Sequence, residues 1–410
     1  NSIVSGGNYN TVVGDEAGTA ISTGDNNVLL GYQAGVAVNT GSNIIAIGYQ
    51  AGDAITSGDN NIAIGKNALG AEDTHDFNIA IGSNALATQN AGADAYNIAI
   101  GYNAGTGVTT GVFNTLIGGL AGDSLSVGAS NTVVGTSALG ADTKGSRSVA
   151  IGLSVLANQN FTSATDAYNT AVGYSAGNLL STGISNTLLG GLAGDAISDS
   201  DGNTALGYGA LSAEQQGNKS TAVGWQALLQ ANRGSSGDSF NVAVGYNAGS
   251  SVNTGLKNTF IGGGSASTIT SGSDNTILGR YTGNQDGLDI RTDSNRIVFS
   301  DGDGIPAGVW DGAINKWQFN RYVAVSDGNF HSSFGGGQAS NDNACGFVFL
   351  SCGSDDDRTG LYWEQSGVIN TRMWIDDTGD LRVFSGNPTA DNSGTVVGTQ
   401  TFTGTHIYKT

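Results

Sequence analysis

Three aromatic residues near the C-terminus are the part of this chain best suited to recognition chemistry. Tyr362 and Trp363 are adjacent, and Trp374 follows a short way on. Such rings can stack on the sugars of a surface glycan, and they serve equally well as core or subunit-interface packing. Asp355, Asp356 and Asp357 could hold a hard cation such as calcium, or form a solvated acidic turn. Asp301-Gly302-Asp303-Gly304 resembles part of a calcium loop, but the remaining ligands do not follow, which leaves a turn. The three histidines, His75, His331 and His406, are scattered and have no metal-ligand spacing. The expectation is therefore no metal and no cofactor.

Catalytic signatures are missing. There is no Ser-His-Asp motif, no phosphate-binding glycine loop and no HExxH helix. Glycoside cleavage asks only for two carboxylates held near one another. The region 284–410 has many, so such a pair stays open, although the expectation is that the protein is not an enzyme. The formal net charge of −19 argues against nucleic acid as a partner, because neutralising phosphates needs Lys and Arg. No stretch is long and apolar enough to span a bilayer, so no membrane insertion is expected. Cys345 and Cys352 flank Gly346-Phe347-Val348-Phe349-Leu350 and fall on opposite faces if that run is one strand. Free thiols are expected.

The elements that carry these residues change character along the chain. After about residue 283, alternating stretches such as Arg296–Ser300, Trp317–Val325 and Leu361–Glu364 read as strands between Gly, Asp and Asn turns. Four of the five Trp and both Pro lie there, which separates this region from what precedes it. We divide it into a β-rich connector, 284–325, and a distal C-terminal β domain, 326–410.

Residues 1–283 form a repeat. A segment reading Asn-(Ile/Thr/Val)-Ala-(Ile/Val/Leu)-Gly returns sixteen times, with its glycine at positions from Gly14 to Gly279. Twelve of the fifteen intervals equal that from Gly14 to Gly31. The exceptions, Gly82 to Gly101, Gly152 to Gly173 and Gly224 to Gly245, are slightly longer. The residue before the glycine is always Ile, Val or Leu, and the residue three before is Ile, Val or Thr. Period-two alternation ended by Gly excludes a helix and predicts a short strand. Asn opens the strand in thirteen copies, with Ile44, Ser148 and Ser220 as exceptions, and predicts a stacked amide ladder. Ala in the third position past the glycine suggests a second short strand. A single coil of this length buries almost nothing, so coils must stack. At about 4.8 Å per coil, sixteen make a rod of roughly 75 Å.

A longer period lies above the first. The residue after the Ala slot alternates in pairs: Gly35, Gly52, Leu69, Leu86, Gly105, Gly122, Leu139, Leu156, and so on. A longer connection follows each second Leu coil, near 87–96, 157–168 and 229–240. These end alike, at Tyr96, Tyr168 and Phe240, which are separated by equal intervals of four coils. The expectation is three protruding loops, serving as receptor or lateral contacts or simply as tolerated surface insertions.

The coil Asn97-Ile98-Ala99-Ile100-Gly101 followed by Tyr102-Asn103-Ala104-Gly105 resembles the head repeat of trimeric autotransporter adhesins, which also occurs in phage tail fibres. That resemblance implies a left-handed β-roll assembled as a homotrimer. The longer coil and the four-coil superperiod depart from the adhesin head. Residues 289–302 are similar to linker strands of tail-fibre proteins. Residues 398–410 resemble the segment that precedes the self-cleaving chaperone of tail fibres and tailspikes, so Thr410 reads as a processed end or the limit of a fragment. The start at Asn1 also suggests a fragment of a longer protein.

The expected fold is thus all-β: a repetitive left-handed β-roll or β-solenoid shaft, trimeric, followed by small β-rich C-terminal domains. The resemblance implies a trimeric phage tail fibre in the virion that attaches to a host-surface glycan or protein receptor. It would join other virion tail proteins through a missing N-terminal part. The alternatives are an autotransporter-type adhesin on the bacterial surface and a tailspike-like polysaccharide depolymerase. In the last case a carboxylate pair could be completed between chains.

Overall fold

The computed structural model describes residues 6–319 and, further on, the strands Gly346–Leu350, Gly360–Gln365, Val368–Ile375, Leu381–Phe384 and Thr395–Val396 by their backbone. The chain divides into two compact units, Asn1–Asn320 and Arg321–Thr410. Among the described residues every regular element is a strand, and no helix is long and apolar enough to cross a membrane.

The first unit is a parallel β-solenoid of seventeen coils, as the repeat requires. Each coil contributes one short strand to the main ladder, from Thr11–Val13 to Arg296–Ser300, pairing in parallel with the same slots of the next, while Gly145–Ser146 pairs separately with Thr165–Asp166 and Gly217–Asn218 with Gly237–Asp238. Ile45, Ile62 and Ile79 follow one another at equal heights, as do Ile47, Ile64 and Ile81. At the last coil the ladder turns antiparallel, adding Pro306–Asp311 and Lys316–Phe319. Phe299 stacks on Trp317 there at 5.8 Å, and Trp310 tilts against the same ring at 5.7 Å.

The residue in the middle of each strand faces inward. Ala46, Ala63, Ala99, Leu116 and Phe260 have no exposed surface. The Ile, Val, Leu and Thr on either side of them are only half-buried, so the solenoid carries a continuous, largely apolar outer face.

The wall after the glycine is not a second strand. It is a run of turns, bonded across coils by single backbone pairs: Gln50 N–H donates to Tyr32 O at 3.0 Å, and Gly52 N–H to Ala68 O at 2.9 Å. Two left-handed residues set up those bonds, here Gln50 at φ 53° and Gly52 at φ 55°. The repeating glycine meets a different demand. Gly48 has φ 133°, and a methyl group on it would lie 2.8 Å from the carbonyl carbon and oxygen of Gly65 in the next coil. Only Gly lets the backbones approach so closely.

The Asn ladder joins side chain to backbone throughout and amide to amide in places, as where Asn131 Nδ2 donates to Asn114 Oδ1 at 3.1 Å. Asn97 Oδ1 accepts from Asn114 N at 2.8 Å, and its Nδ2 donates to Gly111 O at 2.8 Å. Asn169 does the same with Asn186 N and Gly183 O. One buried amide thereby satisfies a donor in the next strand and an acceptor in the opposite turn, which an apolar residue would leave unpaired.

The pairing of Gly and Leu coils has a volumetric cause. In Gly coils a side chain one turn further on fills the core: a methyl group on Gly35 would come within 3.1 Å of Val38 and 2.7 Å of Leu29. In Leu coils the core is filled from the glycine's own slot, by Leu69, Leu86, Leu139, Leu156, Leu211 and Leu228, all fully buried. The later slot is then polar. Glu72, Asp142 and Glu214 stand there in the first Leu coil of each pair, with Gln89 and Gln159 in two of the second.

Candidate functional site

The buried acids are the first chemically unusual groups. Glu72 Oε1 accepts from the backbone of Asp73 and His75, each at 3.1 Å, and lies 2.7 Å from His75 Nδ1. Glu72, Asp73 and His75 are the described residues whose ligand atoms gather as for a metal, within 4.8 Å of one another. The short histidine contact and the turn bonds account for Glu72. Asp142 closes its turn in the same way, accepting from Gly145 N at 2.9 Å, and its Oδ2 takes Gln159 Nε2 at 2.6 Å. Glu214 accepts from Gly217 N at 2.8 Å. These carboxylates therefore serve as internal caps for tight turns, where backbone N–H groups would otherwise be unpaired.

The longer connections are tied down where they end. Lys219 Nζ donates to Asp238 at 2.8 Å and lies 5.3 Å from the centre of the Phe240 ring. Arg147 pairs with Asp166 and lies 5.6 Å from the Tyr168 ring. At the first connection Tyr96 is stacked between Phe77, at 4.9 Å, and Phe113, at 5.7 Å. The shared endings thus anchor each connection to the adjoining coils through an aromatic ring.

Two arginines near the end of the solenoid are ion-paired. Asp289 and Arg291 meet at 2.8 Å, beside a cleft of about 530 Å³ that Ser251, Thr268 and Thr270 also line. The hydrogen bond from Arg291 holds the Asp289 carboxyl below its usual range. Arg296 bridges Asp293 at 2.7 Å and Asp311 at 2.5 Å, and its hydrogen bond depresses Asp311 likewise. Both carboxylates are committed to the same guanidinium. Asp53 and Asp123 shift the other way, raised by burial, and sit in different coils. None of these is a divergent acid and base arranged about one bond, the arrangement that glycoside cleavage needs.

Tyr362, Trp363 and Trp374 lie in the second unit. It contains a five-stranded antiparallel sheet, running in order from Gly346–Leu350 through Gly360–Gln365, Val368–Ile375 and Leu381–Phe384 to Thr395–Val396. In its register Tyr362 pairs with Arg372, Trp363 with Thr371, and Trp374 with Gly360. The three aromatics thus belong to two neighbouring strands, while their side chains lie outside the described residues. So do Cys345, Cys352, His331, His406 and Asp355 to Asp357.

Comparison with known protein families gives a match that falls on this sheet: residues 361–399 match the family model described as capsule depolymerase. No curated protein and no solved structure matches the chain. The expectation that the protein is not an enzyme is corrected by this match, which points to polysaccharide degradation. Together, the matched segment and the β-solenoid fit a phage protein of the tail-fibre or tailspike kind. Sequence reasoning did not anticipate this match because polysaccharide cleavage has no short motif of fixed spacing: two carboxylates suffice, and they can come from distant positions.

Proposed function

We propose that this chain is the host-facing part of a phage tailspike that binds and cleaves the capsular polysaccharide of its bacterium. The match of residues 361–399 to the capsule depolymerase family carries the reading. The matched segment holds five carboxylates, Glu364, Asp376, Asp377, Asp380 and Asp391, from which a general acid and its partner can be drawn. Tyr362, Trp363 and Trp374 lie within it and supply flat apolar surface for sugar rings.

The reading includes a homotrimer. The support is the outer face of the strands, where half-buried residues such as Ile62, Ile64, Ile98 and Ile100 recur at equal heights. A long apolar stripe of this kind is stabilised by burial against further copies. A multivalent particle would gain avidity from three weak sites held together.

The decisive measurement is release of new chain ends from purified bacterial capsular polysaccharides. Hydrolysis yields reducing ends alone; elimination adds an unsaturated sugar that absorbs in the ultraviolet. Either outcome supports the reading. Intact polysaccharide across a broad panel, with the protein folded, overturns it.

A further inference from the structure

We propose that the shaft itself binds saccharide, through a row of tyrosine platforms at Tyr102, Tyr174 and Tyr246. The inference rests on the polysaccharide reading above and extends it to a region outside the matched segment.

The three tyrosines occupy one slot, directly after the repeating glycine, and stand at equal intervals along the chain. Their backbones are bonded alike: Tyr102 O accepts from Leu120 N, Tyr174 O from Leu192 N, and Tyr246 O from Gly264 N, at 2.9, 2.9 and 2.7 Å. They are also exposed alike, at 60, 59 and 62%. Four coils separate each from the next, about 19 Å at the spacing of stacked strands.

What distinguishes them is the neighbour in the next coil. Tyr32, Tyr49 and Tyr208 of this slot, 39, 48 and 43% exposed, each face a side chain from the next coil. Tyr32 stacks on Tyr49 at 5.4 Å, with Lys66 Nζ 6.0 Å from the centre of the Tyr49 ring, and Tyr208 stacks on Trp225 at 4.4 Å. Tyr102, Tyr174 and Tyr246 are instead followed by Gly119, Gly191 and Gly263. A methyl group on Gly119 or Gly263 would have nothing within 4 Å, and one on Gly191 would meet only the edge of Tyr208, at 3.4 Å. The glycine leaves one side of each tyrosine open.

At Tyr246 the opening is a notch. It has a volume of about 480 Å³, a floor of Gly262, Gly263 and Gly279, and polar edges from Arg280, Ser300 and Asp301. Pockets for small organic ligands span roughly 300–1,000 Å³ and combine apolar surface with a few placed polar groups. A pyranose fits that chemistry. Its C–H face is apolar and covers an aromatic ring, while its ring-edge hydroxyls both donate and accept, matching the mixed donors and acceptors of Arg280, Ser300 and Asp301. Exposed apolar rings scattered singly need no explanation. Three at a fixed period, each with a glycine where its neighbours carry side chains, form a pattern that a repeating polymer can occupy at several points.

The test uses the full chain. Affinity electrophoresis through gels containing purified bacterial capsular polysaccharides gives a dissociation constant for wild type, for the triple variant Tyr102→Ala, Tyr174→Ala, Tyr246→Ala, and for Gly263→Leu. The last keeps every tyrosine but fills the notch, at a position with open space for the new side chain. Losing several linked weak contacts compounds, so the triple variant should bind at least about tenfold more weakly. Gly263→Leu should weaken binding several-fold. Tyr96→Ala, in the separate Phe77–Tyr96–Phe113 stack, should bind as wild type. Circular dichroism and native mass accompany each variant. Equal retardation of the folded triple variant overturns the proposal. So does a change in its subunit count, which would assign the tyrosines to another copy of the chain. If wild type releases chain ends while the triple variant is retarded equally, this inference alone fails. If wild type neither binds nor cleaves any polysaccharide, the functional reading fails with it.

Discussion

Gln159 lies between Asp142 and Ser148 in the solenoid core, its Nε2 donating to Asp142 Oδ2 at 2.6 Å and to Ser148 Oγ at 3.1 Å. Its Oε1 accepts from Asn169 at 2.9 Å. Gln89 repeats the arrangement, donating to Glu72 and Asn78 and accepting from Asn97. Ala231 occupies the corresponding slot of the third group, where the hydroxyls of Ser220 and Ser239 have no hydrogen-bond partner.

Gln159→Ala should therefore destabilise the shaft by about 1–3 kcal/mol, the cost of unpairing a buried acceptor. A lowered thermal midpoint, localised by hydrogen exchange to the coils around 142–169, is the expected result. The reverse change, Ala231→Gln, should raise protection around 214–241. No change in either variant would show that these networks do not stabilise the stack.

The repeating glycine gives a sharper contrast. Gly48→Ala places a methyl group 2.8 Å from Gly65 at a φ of 133°, whereas Gly119→Ala meets nothing. Strain of this kind costs on the order of 1–3 kcal/mol or more. Limited proteolysis should cut Gly48→Ala faster than wild type and leave Gly119→Ala unaffected.

Stability should depend on pH in two opposite senses. The Asp311 carboxyl is depressed by Arg296, so its contribution is present above the carboxyl's unfolded value and lost as pH falls through the lower folded value. Asp53 is raised by burial, so its folded form favours the proton, and its cost grows as pH rises from the unfolded value through the folded one. Asp53→Asn should therefore raise the melting midpoint at pH 7 and have little effect near pH 3. Asp311→Asn should lower it at pH 7 and lose that effect in acid. Melting curves at both pH values decide.

The apolar outer face predicts assembly. Sedimentation of wild type should give three chains, and Ile64→Asp with Ile100→Asp should reduce that number by placing charges on the shared stripe. A wild-type monomer would remove the trimer from the functional reading.

The solenoid was legible because its strands obey a local rule: Asn, alternating apolar residues, Gly, at a constant interval. The absent second strand was not, because the Ala that suggested it packs inward from a turn just as well as from a strand. The exchange between Val38 and Glu72 was hidden for a different reason. A buried acid looks like a surface acid in sequence, and only the Leu69 side chain reveals that the core is already full. The amide ladder was legible, and Asn131 donates to Asn114 Oδ1 as stacking requires; that each amide also bonds backbone groups, as Asn97 does with Gly111 and Asn114, was not. Tyr362, Trp363 and Trp374 were picked out by residue type alone. All three fall within the matched segment.

The four-coil grouping has a consequence for how such a shaft changes over generations. Gly101 and Gly173 hold equivalent places, and so do Tyr102 and Tyr174, with every strand between them in unbroken register. Deleting or duplicating the codons for one such group would join one coil to another of the same kind. The core volume, the buried acid and the anchored connection would all meet their usual neighbours. A lineage could therefore lengthen or shorten its reach in steps of about 19 Å by recombination between its own repeats, with no compensating substitution.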